Sequence, residues 1–411
     1  MSAEKHKPII IIGGGISGVT AAVELAEAGR EVVLVEEQPY LGGNVVKMNN
    51  YFPKLCPPSC GLEINFRRIR QNSRIKIYPS SNVSTISGEK GNFSVQINTA
   101  AQFVKNSCTA CGECVEVCPE ERPDAFNYDL TNTKAIYLPH EMAFPMKYSI
   151  DEKYCRREAC NKCVEACQYD AIDFNATEKK TEIAASAVIV ATGWHNYDAG
   201  RLETLNYQAS QDIVTNVEFE RLLAPNGPGQ GALTRPSDKT IPKEIVFVQC
   251  AGSRDENHLP YCSAVCCSAS LKHALTIREK LPECKVKIFY IDLRVSGRNE
   301  DFLNRVKENK NIRLIKGKVG RIEVNGDTKK LIVEAEDILQ GVKAKHEADL
   351  VVLATGIVPN KFSDLVTMND YGFMAGKQQD GIFAISCSKQ PMDVSSSVKE
   401  ATAAALKAIQ L

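Results

Sequence analysis

Short runs of consecutive apolar residues, each closed by glycine or an acid, punctuate this chain. Residues 8–12, PIIII, show no polar alternation and read as a strand buried on both faces. A glycine loop follows, then a helical pattern, VTAAVELAEAG, that stops at Gly29. The next run, EVVLV, ends at Glu36. Runs of the same kind recur at 186–193 (SAVIVATG), 244–249 (EIVFVQ), 285–293 (KVKIFYIDL) and 349–356 (DLVVLATG). A last one, Gly381-Ile382-Phe383-Ala384, precedes a helix over 395–409. Strand runs alternating with helices predict an α/β fold with parallel sheets.

The loop after the first strand is Gly13-Gly14-Gly15-Ile16-Ser17-Gly18, a G-x-G-x-x-G. Gly13 permits a tight turn, Gly15 admits a pyrophosphate to the backbone, and Gly18 lets the helix pack on the strand. Glu36, with Glu37 beside it, stands where an acid bonds a ribose hydroxyl. With strand, helix, strand and acid in register, a ligand-free glycine turn is the weaker reading. Leu41-Gly42-Gly43, with Asn44 next, resembles the second glycine pair of two-dinucleotide flavoproteins. Ala191-Thr192-Gly193 and the C-terminal helix starting at Val394 and Ser395 resemble further parts of that family, whose helix points its positive end at the flavin. The resemblance implies FAD. Where the family carries Gly-Asp, this chain has Ser386-Cys387. Trp194 has two readings, a cover for the flavin or plain packing.

Sixteen cysteines change the picture further. One run is Cys108-x2-Cys111-x2-Cys114-x3-Cys118-Pro119; the second is Cys155-x4-Cys160-x2-Cys163-x3-Cys167. They resemble a two-cluster bacterial ferredoxin, in which the fourth cysteine of each run serves the other cluster. That resemblance implies one [4Fe-4S] cluster on Cys108, Cys111, Cys114 and Cys167, and another on Cys155, Cys160, Cys163 and Cys118. The second run departs at its x4 spacing and at Gln168 in place of proline. Structural zinc is the alternative.

The second unit lacks a phosphate loop. After EIVFVQ the chain reads Cys250-Ala251-Gly252-Ser253-Arg254-Asp255, and thiols continue at Cys262, Cys266 and Cys267. This argues against NAD(P)H as a direct donor. Here the chain resembles the A subunits of heterodisulfide reductases, over residues 212–255 and 261–274 and in the order of its modules. Its shortness resembles the A subunit of the quinone-interacting membrane-bound oxidoreductases of sulfate reducers. The resemblance implies a third cluster on Cys250, Cys262, Cys266 and Cys267; buried thiols without metal are the bland alternative. Cys56-x3-Cys60 keeps three readings open: cluster ligands, a redox disulfide, or a plain loop.

Charge and hydropathy narrow the class. Lys+Arg and Asp+Glu are both 50, so no electrostatic footprint for nucleic acid stands out. No stretch approaches 18 consecutive apolar residues, so no direct membrane span is expected, and the N-terminus lacks the shape of a signal peptide. Thiols kept for metal suit a cytoplasmic protein.

The expected architecture is therefore α/β, two Rossmann-like units of the FAD/NAD-linked reductase type with an inserted two-cluster ferredoxin-like module. The expected division is an FAD-binding unit over 1–104, 170–240 and 356–411, the insert over 105–169, and a degenerate dinucleotide-type unit over 241–355. The expected function is electron transfer, as part of a multi-subunit oxidoreductase. The resemblance implies a complex with a haem-bearing membrane subunit plus a second flavin/iron–sulfur subunit, peripheral on the inner face of the plasma membrane. It would link menaquinol to an acceptor such as adenylylsulfate (APS) reductase. A soluble NAD(P)H-dependent disulfide reductase using Cys56 and Cys60, and a relay subunit without its own substrate, are the rivals.

Overall fold

The computed structural model describes residues 7–53, 55–297, 299–362 and 366–411. His6 and the other N-terminal residues that lack the shape of a signal peptide lie outside them, as does Lys54.

The apolar run Ile9–Ile12 is the centre of a five-stranded parallel sheet. Its order is Ile382–Ala384, Ala187–Val190, Ile9–Ile12, Val32–Val35, Ile75–Tyr78. One face packs on the helices Ile16–Glu27, Ser59–Gln71 and Val394–Ile409. The other is covered by an antiparallel sheet of Ser81–Glu89, Asn92–Thr99 and Lys179–Ala185. Both faces being covered explains the absence of alternation in these strands. Burying each such aliphatic side chain contributes about 1.5–3 kcal/mol.

The second unit repeats this plan. Its parallel sheet runs Ile213–Thr215, Leu350–Thr355, Glu244–Ala251, Lys285–Tyr290, Ile312–Lys316. Helices Asn216–Leu223, Cys266–Lys280 and Asn299–Lys307 cover one face. An antiparallel sheet of Val319–Val324, Leu331–Asp337 and Val342–Ala348 covers the other. Trp194–Asn196 and Ile357–Pro359 pair where the chain crosses between the units.

Two sequence expectations change. Residues 213–223 join the second sheet rather than the FAD unit, because Ile213–Thr215 adds an edge strand to Leu350–Thr355. Thr215 then caps the helix in a capping box with Glu218. The strand begun by EIVFVQ also continues through Cys250 to Ala251, with its register broken between Val248 and Ala251.

The cysteine-rich insert leaves and returns at hydrogen-bonded neighbours, since Thr99 pairs with Lys179. Such an excursion leaves the host sheet intact. Its own core is small, formed by Cys114, Ile136, Cys163 and Ile172.

Candidate functional site

The glycines of the first loop serve three separate ends. Gly13 has φ +104°, and a Cβ there would lie 2.3 Å from the Ala191 carbonyl oxygen. A Cβ at Gly18 would lie 1.8 Å from the Gly13 oxygen, so this position joins helix to loop. Gly15 differs: its φ is −68°, and a Cβ would meet only the Gly43 Cα at 3.9 Å. The protein itself does not demand glycine there; the open side faces the cavity described next. Gly15 is also the N-cap of Ile16–Glu27 and offers no capping side chain, which leaves the leading N–H groups for an anion. Gly42 donates its N–H to the Gly14 oxygen at 2.8 Å, bringing the second glycine pair against the first.

A cavity of about 1070 Å³ opens from this loop. Gly13, Gly15, Ile16, Ser17, Glu36 and Glu37 line it at one end. Gly43 and Asn44 line it too, with Ala191, Thr192, Gly193 and Trp194 along the side and Ser386, Cys387 and Val394 beyond. Gly18 and Gly42 are buried behind the wall. Ser395 is exposed; helical rotation brings Ser396 and Ser397 to the cavity instead. Asp393 caps that helix, accepting from the Ser396 N–H at 2.7 Å. Ser386 holds φ +61° and is anchored by its N–H to Glu400 at 2.6 Å and by its hydroxyl to Ser397 at 2.8 Å. Burial pushes the Glu36 carboxyl up to about 7 against the N–H donors of Gln38 and Gly14. The Thr192 hydroxyl is buried without a partner among the described residues, at the wall a dinucleotide would touch. The donor set, the glycine cradle and this orphan hydroxyl fit FAD.

Three residues of this cavity escaped sequence reasoning. Glu220, Lys272 and His273 line it from the second unit. Lys272 donates to Glu220 at 2.6 and 2.7 Å and to the Asn50 oxygen at 3.0 Å. Glu220 also accepts from the Asn49 N–H at 2.8 Å and from the His273 ring. Burial alone would raise the Glu220 carboxyl, but Lys272 and His273 hold it well below the usual range, ionised. Burial holds His273 down and neutral, with Nε2–H as donor to Glu220. The signal in sequence was slight: an acid on one short helix and a Lys-His pair on a distant one.

The cysteines gather in three places. Cys108, Cys111, Cys114 and Cys167 surround a cavity of about 20 Å³ with Ile136, Tyr148 and Ile172. Cys118 comes within electrostatic reach of Cys155 and Cys163, and Cys155 of Cys160. Cys114 in turn comes within electrostatic reach of Cys163, so the two runs lie side by side. Burial, then the neighbouring thiols, pushes Cys114 up to about 12 and Cys163 up to about 11. Cys250, Cys262, Cys266 and Cys267 form the third gathering. There burial pushes Cys250 up to about 11 and raises Cys266. Among the described residues no three histidine, cysteine or carboxylate side chains converge on one ion-sized point. Cys56 and Cys60 are exposed, and Tyr51 next to Cys60 reaches the flavin cavity. Cys284 is buried and donates to the Lys285 oxygen; Cys387 donates to the Met392 oxygen at 3.5 Å.

Fold and site define a flavin- and iron–sulfur-dependent oxidoreductase. Residues 8–68 match the FAD dependent oxidoreductase family and residues 101–121 the 4Fe-4S binding domain. FAD and iron–sulfur clusters are thus its cofactors. Over nearly its whole length the chain is similar to the A subunits of heterodisulfide reductases. It is 39% identical over 417 residues to iron-sulfur A-subunit 2 of the CoB–CoM heterodisulfide reductase of Methanopyrus kandleri, covering 97% of this chain and 63% of the relative. It is 34% identical over 423 residues to the iron-sulfur A subunit of the Methanocaldococcus jannaschii enzyme, covering 98% and 64%. The chain thus spans less than two thirds of these curated relatives. Among solved structures it is similar in fold to thioredoxin reductase of T. acidophilum, with a TM-score of 0.55 at 14% identity and 99% of each chain covered. The enzyme of Lactococcus lactis gives 0.54 at 15%, with 98% of each chain covered.

Proposed function

We propose that this chain is the flavin and iron–sulfur electron-transfer subunit of a heterodisulfide-reductase-like complex. In that complex it connects membrane menaquinol to a cytoplasmic acceptor such as adenylylsulfate reductase. The observation that carries the reading is the shared wall between thiols and flavin cavity. Ala264, Val265, Ser268 and Ala269, interleaved with Cys262, Cys266 and Cys267, line the same cavity as the glycine loop. When bound, FAD exchanges one or two electrons and each cluster exchanges one.

The residues divide the work. Gly13, Gly15 and Gly18 shape the pyrophosphate cradle, and Glu36 takes the ribose. The Val394–Ile409 N-terminus, rotated so that Ser396 and Ser397 face inward, offers partial positive charge to the ring. Cys108, Cys111, Cys114 and Cys167 hold one cluster, Cys118, Cys155, Cys160 and Cys163 a second. Cys250, Cys262, Cys266 and Cys267 hold a third. In the second unit, a Cβ at Gly252 would lie 2.8 Å from the Tyr197 ring, so aromatic carbon stands where a nucleotide phosphate would need room. That weighs against a nicotinamide donor.

No described helix is long and apolar enough to cross a membrane; in this reading the membrane link runs through partners. We expect a haem-bearing membrane subunit plus a second flavin/iron–sulfur subunit, with this chain peripheral on the cytoplasmic face. The test is gentle detergent extraction followed by purification through this chain. Menaquinol-analogue oxidation coupled to adenylylsulfate reduction should require the co-purified subunits. Isolation only as a free soluble monomer, with no such coupled turnover in mixtures, counts against the reading.

A further inference from the structure

We propose that Gln249 and Ser270 set the reduction potential of the cluster at Cys250, Cys262, Cys266 and Cys267 by donating hydrogen bonds to its sulfur atoms. This rests on the third-cluster assignment above. Gln249 is 6% exposed, and neither its amide nitrogen nor its amide oxygen has a partner among the described residues. Ser270 is 1% exposed, and its hydroxyl likewise has none. Leaving a buried donor unsatisfied is costly, whereas an apolar residue of the same shape costs little. Two such orphans, one next to Cys250 in the chain and one a helical turn from Cys266 and Cys267, point to an acceptor that the polypeptide does not supply.

Their positions agree. Gln249 immediately precedes Cys250, inside the stretch where strand register breaks. Ser270 lies three and four residues after Cys267 and Cys266 on one helix, hence on the same face. The nearby helical hydroxyl of Thr276 behaves ordinarily, donating to the Lys272 oxygen at 3.1 Å; Ser270 does not. The thiols are turned elsewhere: Cys266 donates to the Thr355 oxygen at 3.7 Å and Cys267 to the Asp292 oxygen at 3.8 Å. Cluster thiolates and inorganic sulfides are anionic acceptors, and donors aimed at them favour the reduced, more negative state. Since this group adjoins the flavin cavity, its potential decides which way electrons pass between them.

The experiment is a redox titration of the anaerobically purified holoprotein, followed by paramagnetic resonance, for wild type, Gln249→Leu and Ser270→Ala. The third-cluster signal should move to lower potential in both variants, while the two ferredoxin signals and the flavin stay in place. An unmoved third potential in both variants overturns the proposal and leaves the cluster assignment standing. No third signal in the wild-type protein overturns the assignment and this proposal with it. If Gln249→Leu yields no folded protein, the smaller Ser270→Ala change decides by the same shift.

Discussion

The Glu36 carboxylate accepts the backbone N–H of Gly14 at 2.5 Å, tying the end of the second strand to the loop after the first. Burial nevertheless lifts this acid to about 7, against about 4.3 in an unfolded chain. Between those values the native protein binds more protons than the unfolded one, so stability falls as pH rises and levels off above about 7. Denaturant titrations of flavin-free protein from pH 5 to 7.5 should show this decline. Glu36→Gln should flatten it; an unchanged slope means another group is responsible.

Gly15 and Gly18 should fail differently. A side chain at Gly15 meets open space toward the cavity, so Gly15→Val should keep its melting temperature and lose FAD on gel filtration. A Cβ at Gly18 strikes the Gly13 oxygen. Gly18→Ala should therefore cost roughly 1–3 kcal/mol of stability. Equal thermal losses in the two variants would contradict the separation of roles.

With Cys250-Ala251-Gly252 and the Tyr197 ring in place of a nucleotide loop, NADH and NADPH should not reduce the flavin rapidly. Stopped-flow absorbance of the flavin band is the measurement. Fast bleaching by either nucleotide would revive the disulfide-reductase alternative.

Serine is a harder, poorer iron ligand than thiolate. Cys111→Ser should perturb only the ferredoxin signals in paramagnetic resonance. Cys262→Ser should remove a separate signal and its iron while the ferredoxin pair remains. Unchanged iron content in Cys262→Ser would return the third group to ordinary buried thiols.

Glu220 carries the charge balance at the junction of the two units. In Glu220→Ala the Lys272 ammonium, 7% exposed, stays buried without its carboxylate. Removing one partner of a buried pair costs about 3–5 kcal/mol. Chemical denaturation should show that loss, and Lys272→Met in the same background should recover part of it.

Much of the flavin unit was legible because its signals are local. Ile9–Ile12, the glycine loop and Val32–Val35 are contiguous, and each role follows from a spacing. The ferredoxin runs were legible for the same reason, through resemblance to a known spacing. Ile213–Thr215 was not, since three residues at a sheet edge carry too little periodicity to reveal which sheet they join. Ser395 was misplaced toward the cavity because the helix's rotation is set by its packing against Ile16–Glu27, not by its first residue.

The sequence by itself determined the strand runs, the phosphate loop and the thiol spacings, because backbone sterics and ligand geometry act within a few residues. The tertiary structure seats Cys167 at one small cavity with Cys108, Cys111 and Cys114, a grouping the ferredoxin resemblance had implied. It alone brought Glu220, Lys272 and His273 to the flavin cavity, and placed the third thiol group along the same wall. Those relations depend on how two sheets and an insert pack, and burial of apolar faces, which arranges them, is non-directional and leaves no fixed spacing in the chain.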